Sequence, residues 1–320
     1  AGNLLQQCYN IADTLIVSRF LGANALAAVG SSYTLMTFLT SILLGMCMGS
    51  GAAFSIWYGQ KDKKRLKEGM VHAFGLIAAV TIVLNILVFA GLPLILRLLQ
   101  VPAEVTPYME EYLKIIFVGI SATFLYNYYA ALLRAIGNSV VPLVFLGVSA
   151  VLNIVLDFLF VFTFQRGVGG AAEATVISQF VSGIGIAFYT QKHFPELRVS
   201  LKEVHFKGKM LNEIAGFSFF TCMQQSIMNF GILMVQGLVN SFGPVVMAAF
   251  AAAVKIDSFA YMPVQDFGNA FSTFIAQNQG AGKTERIRLG LRAAVLSSGL
   301  FCLVISTVIV CFAGPLMTIF

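Results

Sequence analysis

The chemistry available to this chain rests on a few oxygen-bearing side chains set in apolar sequence. Asp13 follows twelve uncharged residues, and Tyr9 and Gln6 lie four and seven positions before it, so all three share one helical face. Asp157 ends a second apolar run, with Asn153 one turn earlier on the same face, and Thr175 falls early in a third. Two carboxylates, an amide, a phenol and a hydroxyl make an all-oxygen set that suits a hard cation, and Na+ at Asp13, Asn153, Asp157 and Thr175 is the metal reading. A carboxyl in a low-dielectric cavity can also take up and release a proton. Charged groups at membrane depth cost about 2.5–3.5 kcal/mol on insertion scales, so each one retained calls for a role. The competing reading is that each acid makes a buried hydrogen bond or caps a helix break.

The elements that must position these residues are membrane helices. The chain is 58% hydrophobic and 11% charged, against about 25% charged in soluble domains. Uncharged runs cover residues 71–96, 115–133, 135–156, 214–254 and 293–320, and about 20 apolar residues cross the hydrocarbon core as a helix. Residues 214–254 are long enough for two spans, with a turn at Ser241-Phe242-Gly243-Pro244. Nine spans are expected, near 3–20, 29–58, 70–99, 108–133, 140–164, 170–190, 211–240, 246–278 and 290–320. The alternating ten-residue segments of a barrel are absent. The fold class is therefore all-α and polytopic.

Charge placement orients the spans. Lys61, Lys63, Lys64, Arg65, Lys67, Arg134, Lys192, Arg198, Lys202, Lys207, Lys209, Lys283, Arg286, Arg288 and Arg292 all fall in alternate loops, 15 of the 20 basic residues. The positive-inside rule then puts the N-terminus in the cytoplasm of a multi-pass protein of the inner or plasma membrane. The net charge of +6 is a topology signal and implies no nucleic-acid partner. The five cysteines, Cys8, Cys47, Cys222, Cys302 and Cys311, lie in apolar segments without paired spacing and read as free.

A block near the start recurs 221 residues later. Leu21-Gly22-Ala23 meets Phe242-Gly243-Pro244, and Gly59, Arg65, Lys67 and Gly69 meet Gly280, Arg286, Arg288 and Gly290. With a three-residue adjustment Gln6-Gln7 meets Gln224-Gln225. A period this long means duplication of a bundle, the architecture of secondary transporters. Residues 1–192 read as a six-helix bundle with a truncated first span, 193–210 as a cytoplasmic linker, and 211–320 as the first three helices of a second bundle. About three more spans are expected to follow. Gly45, Gly49 and Gly51 form a small-residue face for close helix packing. Span eight carries Asp257, Tyr261, Gln265, Asn269, Thr273 and Gln277 at four-residue steps, beside Asp266 and a kink expected at Pro263. Gln6, Gln224, Gln225, Asp257, Tyr261 and Gln265 are the candidate substrate-cavity residues. No phosphate loop, metal cluster or nucleophile–base pair occurs, so no catalytic residue and no cofactor are expected.

Asn3-Leu4-Leu5-Gln6-Gln7-Cys8-Tyr9-Asn10-Ile11-Ala12-Asp13-Thr14 followed by Phe20-Leu21-Gly22 resembles the first span of the multidrug and toxic compound extrusion (MATE) family. Met262-Pro263-Val264-Gln265-Asp266-Phe267-Gly268-Asn269-Ala270 and Gln277-Asn278-Gln279-Gly280-Ala281-Gly282-Lys283 resemble its eighth. The motifs are most similar to the prokaryotic, DNA-damage-inducible branch. The resemblance implies a monomeric antiporter that exports amphipathic, often cationic drugs in exchange for H+ or Na+. It also implies coupling roles for Asp13, Tyr9, Asn153, Asp157 and Thr175. Another branch has a glutamate in span seven, where this chain reads Cys222-Met223-Gln224-Gln225-Ser226; that departure points to coupling through the N-terminal half. A flippase for lipid-linked oligosaccharides is the alternative within the superfamily. It calls for intramembrane arginines, and Arg19 is the one candidate. A non-transporting receptor would need a ligand-binding or signalling domain, which no flanking sequence provides.

Overall fold

The computed structural model describes residues 2–198 and 207–317, with the side chains of 2–11, 255, 258–260, 262–263 and 313–317 outside the description. The expectations for Gln6, Tyr9, Cys8 and Pro263 therefore fall outside the described side chains. The helices are α1 (Gly2–Leu21), α2 (Ala23–Gly59), α3 (Lys63–Leu98), α4 (Thr106–Val118), α5 (Ile120–Ala135), α6 (Val140–Asp157), α7 (Gly167–His193), α8 (Gly208–Asn240), α9 (Pro244–Gly280) and α10 (Thr284–Met317). A π-helical turn, Phe158–Thr163, extends α6, and a 3₁₀ turn, Pro195–Leu197, follows α7. The all-α reading holds among the described residues. Five of these helices are long and apolar enough to cross a membrane, six if α4 and α5 are one bent span. The count of nine therefore rests on sequence pattern; α8, with Gln224, Gln225, Asn229, Gln236 and Asn240, is diluted by amides.

Several boundaries differ from expectation: α2, α3 and α10 begin at Ala23, Lys63 and Thr284, six or seven residues before the expected starts. The span placed at 108–133 is two helices bent by 45° around Gly119. A Cβ at Gly119 would lie 2.9 Å from the Val176 side chain, so the bend is packed directly on α7. The helix expected from 170 begins at Gly167, and α8 begins at Gly208, inside the stretch read as linker. α9 continues as helix through position 263.

The repeat is visible in backbone geometry. α2 and α9 are each 37 residues long and start and end 221 positions apart. Both are preceded by a glycine in a region that side chains avoid, Gly22 at φ 85° and Gly243 at φ 94°. The turns that leave them also match, with Lys61 at φ 60° and its repeat mate Gly282 at φ 70°.

α2 is the centre of the molecule, packing on α1, α3, α4, α5, α8 and α9. Its small-residue face does what the sequence suggests. A Cβ at Gly45 would fall 2.4 Å from Cys222 Cα, and one at Gly49 would fall 2.5 Å from Ser218 Cα. The α2 and α8 backbones therefore touch, and the bared carbonyls are used: Thr221 Oγ1 donates to Gly45 O (2.7 Å) and Ser218 Oγ to Met46 O (3.2 Å). Against α9 the contact is reciprocal between repeat mates. A Cβ on Gly59 would lie 2.3 Å from Gln277 O, and one on Gly280 would lie 2.2 Å from Ile56 O.

At the end bearing the basic loops, ion pairs join the two repeats. Arg65 Nη2 grips both Glu213 oxygens at 2.7 Å, and Lys207 Nζ holds both Glu68 oxygens at 2.8 Å. Asp62 caps α3 by accepting from Arg65 N at 2.9 Å. The Lys207 hydrogen bonds hold the Glu68 carboxyl below its ordinary range. A lowered folded-state value stabilises above the unfolded value and loses that contribution as pH falls through the folded one. Acid titration should therefore leave stability unaffected by this pair near neutrality and weaken it in the acid range, and Lys207→Ala should blunt that loss. Thermal midpoints measured against pH would test this. Gly49→Val should abolish monodisperse folded protein in detergent, because backbone has nowhere to move, whereas Gly75→Ala, in open space, should be tolerated. Size-exclusion profiles of the two variants would check the contrast.

Candidate cation site and polar seam

α6 and α7 are laced by hydroxyls. Ser149 Oγ donates to Ser178 O at 3.1 Å, Ser182 Oγ donates to Phe145 O at 3.1 Å, and Ser178 Oγ bonds Ala174 O within α7. This register brings Asn153 Nδ2 to Thr175 Oγ1 at 3.2 Å. α1 packs on α6, the π-helical turn and α7, with Phe20 edge-on to Phe162 at 5.4 Å. Asp13 is thereby placed within electrostatic reach of Asp157. Asp13 is 6% exposed and Asp157 is fully buried.

The structure thus joins Asn153 to Thr175, sets Asp157 one turn along the same helix, and packs α1, which carries Asp13, against both helices. Both carboxyl oxygens of Asp157 and the Asn153 carbonyl oxygen are buried without a hydrogen-bond partner. Such groups cost about 1–3 kcal/mol each when left unpaired, and native structures rarely hold three together without a ligand, proton or water to satisfy them. Three acceptor oxygens and a second carboxylate form an electron-rich pocket that fits a proton or a small hard cation. Thr175 Oγ1, which accepts from Asn153, keeps a lone pair for the same cation.

Asp157 is also the last residue before the helix widens. The π-helical turn 158–163 begins directly after it, a placement frequent at functional sites. Nothing in the residue pattern warns of this turn, since FLFVFT reads as an ordinary apolar run.

The cavity candidates divide. Gln225 on α8 is buried, and its Oε1 accepts from Gln265 Nε2 of α9 at 2.9 Å; Tyr261 Oη donates to Met228 Sδ at 2.8 Å. Gln224 and Asp257 are exposed. Four-residue steps on a 3.6-residue helix drift around the axis, so α9 cannot turn the whole ladder to one neighbour. Gln277 Nε2 instead donates to Ala135 O at 2.7 Å. Arg19, the residue a phosphate-handling cavity would require, is exposed.

Sequence reasoning missed the rest of the α8 polar face. Asn229, Gln236 and Asn240 are buried with Gln225, at steps of four, seven and four. That spacing was the available signal.

A family model described as MatE matches residues 1–159 and 218–320. The chain is 33% identical over 293 residues to the probable multidrug resistance protein YpnP of Bacillus subtilis, covering 89% of this chain and 64% of that protein. It is 26% identical over 322 residues to the probable multidrug resistance protein NorM of Thermotoga maritima, covering 99% and 69%. The chain thus spans about two-thirds of the length of these relatives. Among solved structures, a multidrug resistance MATE family transporter of the MOP superfamily in an outward-facing conformation superposes with TM-score 0.87 at 23% identity, covering 98% of this chain and 70% of that one. An inward-facing conformation of such a transporter superposes with TM-score 0.81 at 22% identity, covering 99% and 71%. Identity at that level speaks for the fold alone.

If the orphaned oxygens are a ligand site and not structural, removing the charge should relieve strain. Asp157→Asn should raise the thermal midpoint in detergent by a few degrees and remove its response to added Na+. A lower midpoint would show that the carboxyl is satisfied within the fold.

Proposed function

The chain belongs to the MatE family, and from that premise we propose that it works as a cation-coupled antiporter exporting amphipathic, often cationic small molecules. Family membership makes it a membrane transport protein and not an enzyme. The observation that carries the coupling reading is the buried group of Asp13, Asn153, Asp157 and Thr175, with both Asp157 oxygens and Asn153 Oδ1 unpartnered. Either H+ or Na+ satisfies these oxygens. Binding cancels one negative charge of the pocket, which lowers the penalty of enclosing it in hydrocarbon; losing the ion raises it again. A cation therefore favours one arrangement of α1 against α6 and α7 over another, and differential affinity of this kind couples ion and drug.

Drug recognition falls to the second repeat and the seam, with Gln225, Gln265 and Tyr261 as polar contacts among the exposed and half-buried aromatics of α8 and α9. The fold is shared with proteins solved in outward-facing and inward-facing conformations, which supports rocking of two repeats as the means of alternating access. We place the basic-loop end in the cytoplasm and take the protein as a monomer. A lipid-linked-sugar flippase is not favoured, since the curated relatives the chain is similar to are multidrug resistance proteins.

In proteoliposomes, an imposed pH or Na+ gradient should drive efflux of a fluorescent cationic dye, and Asp13→Asn should abolish gradient dependence. Thr175→Val should weaken the response to Na+ more than the response to pH, because it removes a ligand oxygen and no titrating group. Efflux indifferent to both gradient and Asp13→Asn would overturn the coupling assignment.

A further inference from the structure

The seam between the repeats is polar and buried at the end remote from the basic loops. Asn240, the last residue of α8, is 1% exposed and ties three elements together. Its Nδ2 donates to Leu99 O beyond α3 (2.8 Å) and to Ser31 Oγ of α2 (3.2 Å), and its Oδ1 accepts from Gln236 Nε2 (2.7 Å). Gln236 is 0% exposed, and its Oε1 accepts from Thr34 Oγ1 of α2 at 3.2 Å. At the same level α2 touches α9: a Cβ on Gly30 would lie 2.1 Å from Ala251 Cβ.

We propose that this amide network is the latch of the outer gate: it is closed in this structure together with the α2 contacts at the other end of the seam, and it parts when the cation site opens outward. The proposal rests on the alternating-access reading above. Amides and hydroxyls exchange protein partners for water at nearly balanced free energy, whereas wetting an apolar seam is opposed in proportion to its area. In a dry interior the same groups must stay paired, so the closed arrangement is well defined and the open one exists only where water enters. The other end of the seam is built differently, from α2 backbone lying on α8 at Gly45 and Gly49. Asn240 is the keystone, because it alone in the network reaches both α2 and the end of α3.

The test uses two arms in a background lacking the five native cysteines. Ser32→Cys, fully buried on α2 and outside the network, reports access to an impermeant maleimide added outside. Asn240→Ala should speed its labelling about five- to fifty-fold, as expected for loss of several buried hydrogen bonds from a closed state. In the second arm, Thr34→Cys and Gln236→Cys are bridged by a short bifunctional thiol reagent with a cleavable spacer. Bridging should lower dye transport at least about tenfold, and cleavage should restore it; this arm keeps Asn240 and so survives misfolding of Asn240→Ala. Equal labelling rates with and without Asn240→Ala, or a bridged protein that transports at the unbridged rate, would overturn the latch. The labelling arm needs no transported substrate. A protein that moves no dye therefore sinks the transport reading while leaving the latch to be decided by access.

Discussion

Everything in this structure hangs on the contact of α2 backbone with the backbones of α8 and α9. In lipid no hydrophobic effect drives helices together, so association depends on close van der Waals approach and on hydrogen bonds between helices. Gly45, Gly49, Gly59 and Gly280 remove the side chains that would hold these helices apart. The approach exposes carbonyls, and Ser218 and Thr221 bond them. Because Gly59 and Gly280 are repeat mates facing each other's helices, one duplicated feature serves both sides of the seam.

That seam fixes where the chemistry can be. With α2 held between the repeats, α1 is left to pack on α6, α7 and α9, which carries Asp13 towards Asp157. The hydroxyl lacing of α6 to α7 sets the Asn153–Thr175 bond and leaves the remaining oxygens turned inward without partners. Backbone contact supplies the rigidity; the carboxylates use it to stay buried where a solvated group would have moved to water.

Polar groups in this protein fall into two kinds. Ser31, Thr34, Gln236 and Asn240 satisfy one another. The Asp157 oxygens do not. Satisfied networks specify packing or a defined closed state, while unsatisfied ones mark where a ligand is to arrive. By this distinction the Asp157 and Asn153 oxygens stand apart from the paired amides, with Ser32 Oγ of α2 likewise buried without a partner.

The sequence alone determined the membrane class, the duplication, the small-residue face of α2 and which residues are candidates for the site, because each follows from a local quantity: hydropathy over a span, a fixed offset, a spacing on one helix, the cost of a charge in hydrocarbon. Asp13, Asn153, Asp157 and Thr175 were legible as types in improbable places. Tertiary structure decided what depends on neighbours. It placed Gln225 inside and Gln224 outside, left Asp257 exposed, bent the span around Gly119, and widened the helix after Asp157 into a π-helical turn. It also joined Asn240 to Ser31 across 209 positions of sequence. Periodicity says which residues share a face, but which helix lies opposite that face is settled only when the two repeats close on each other.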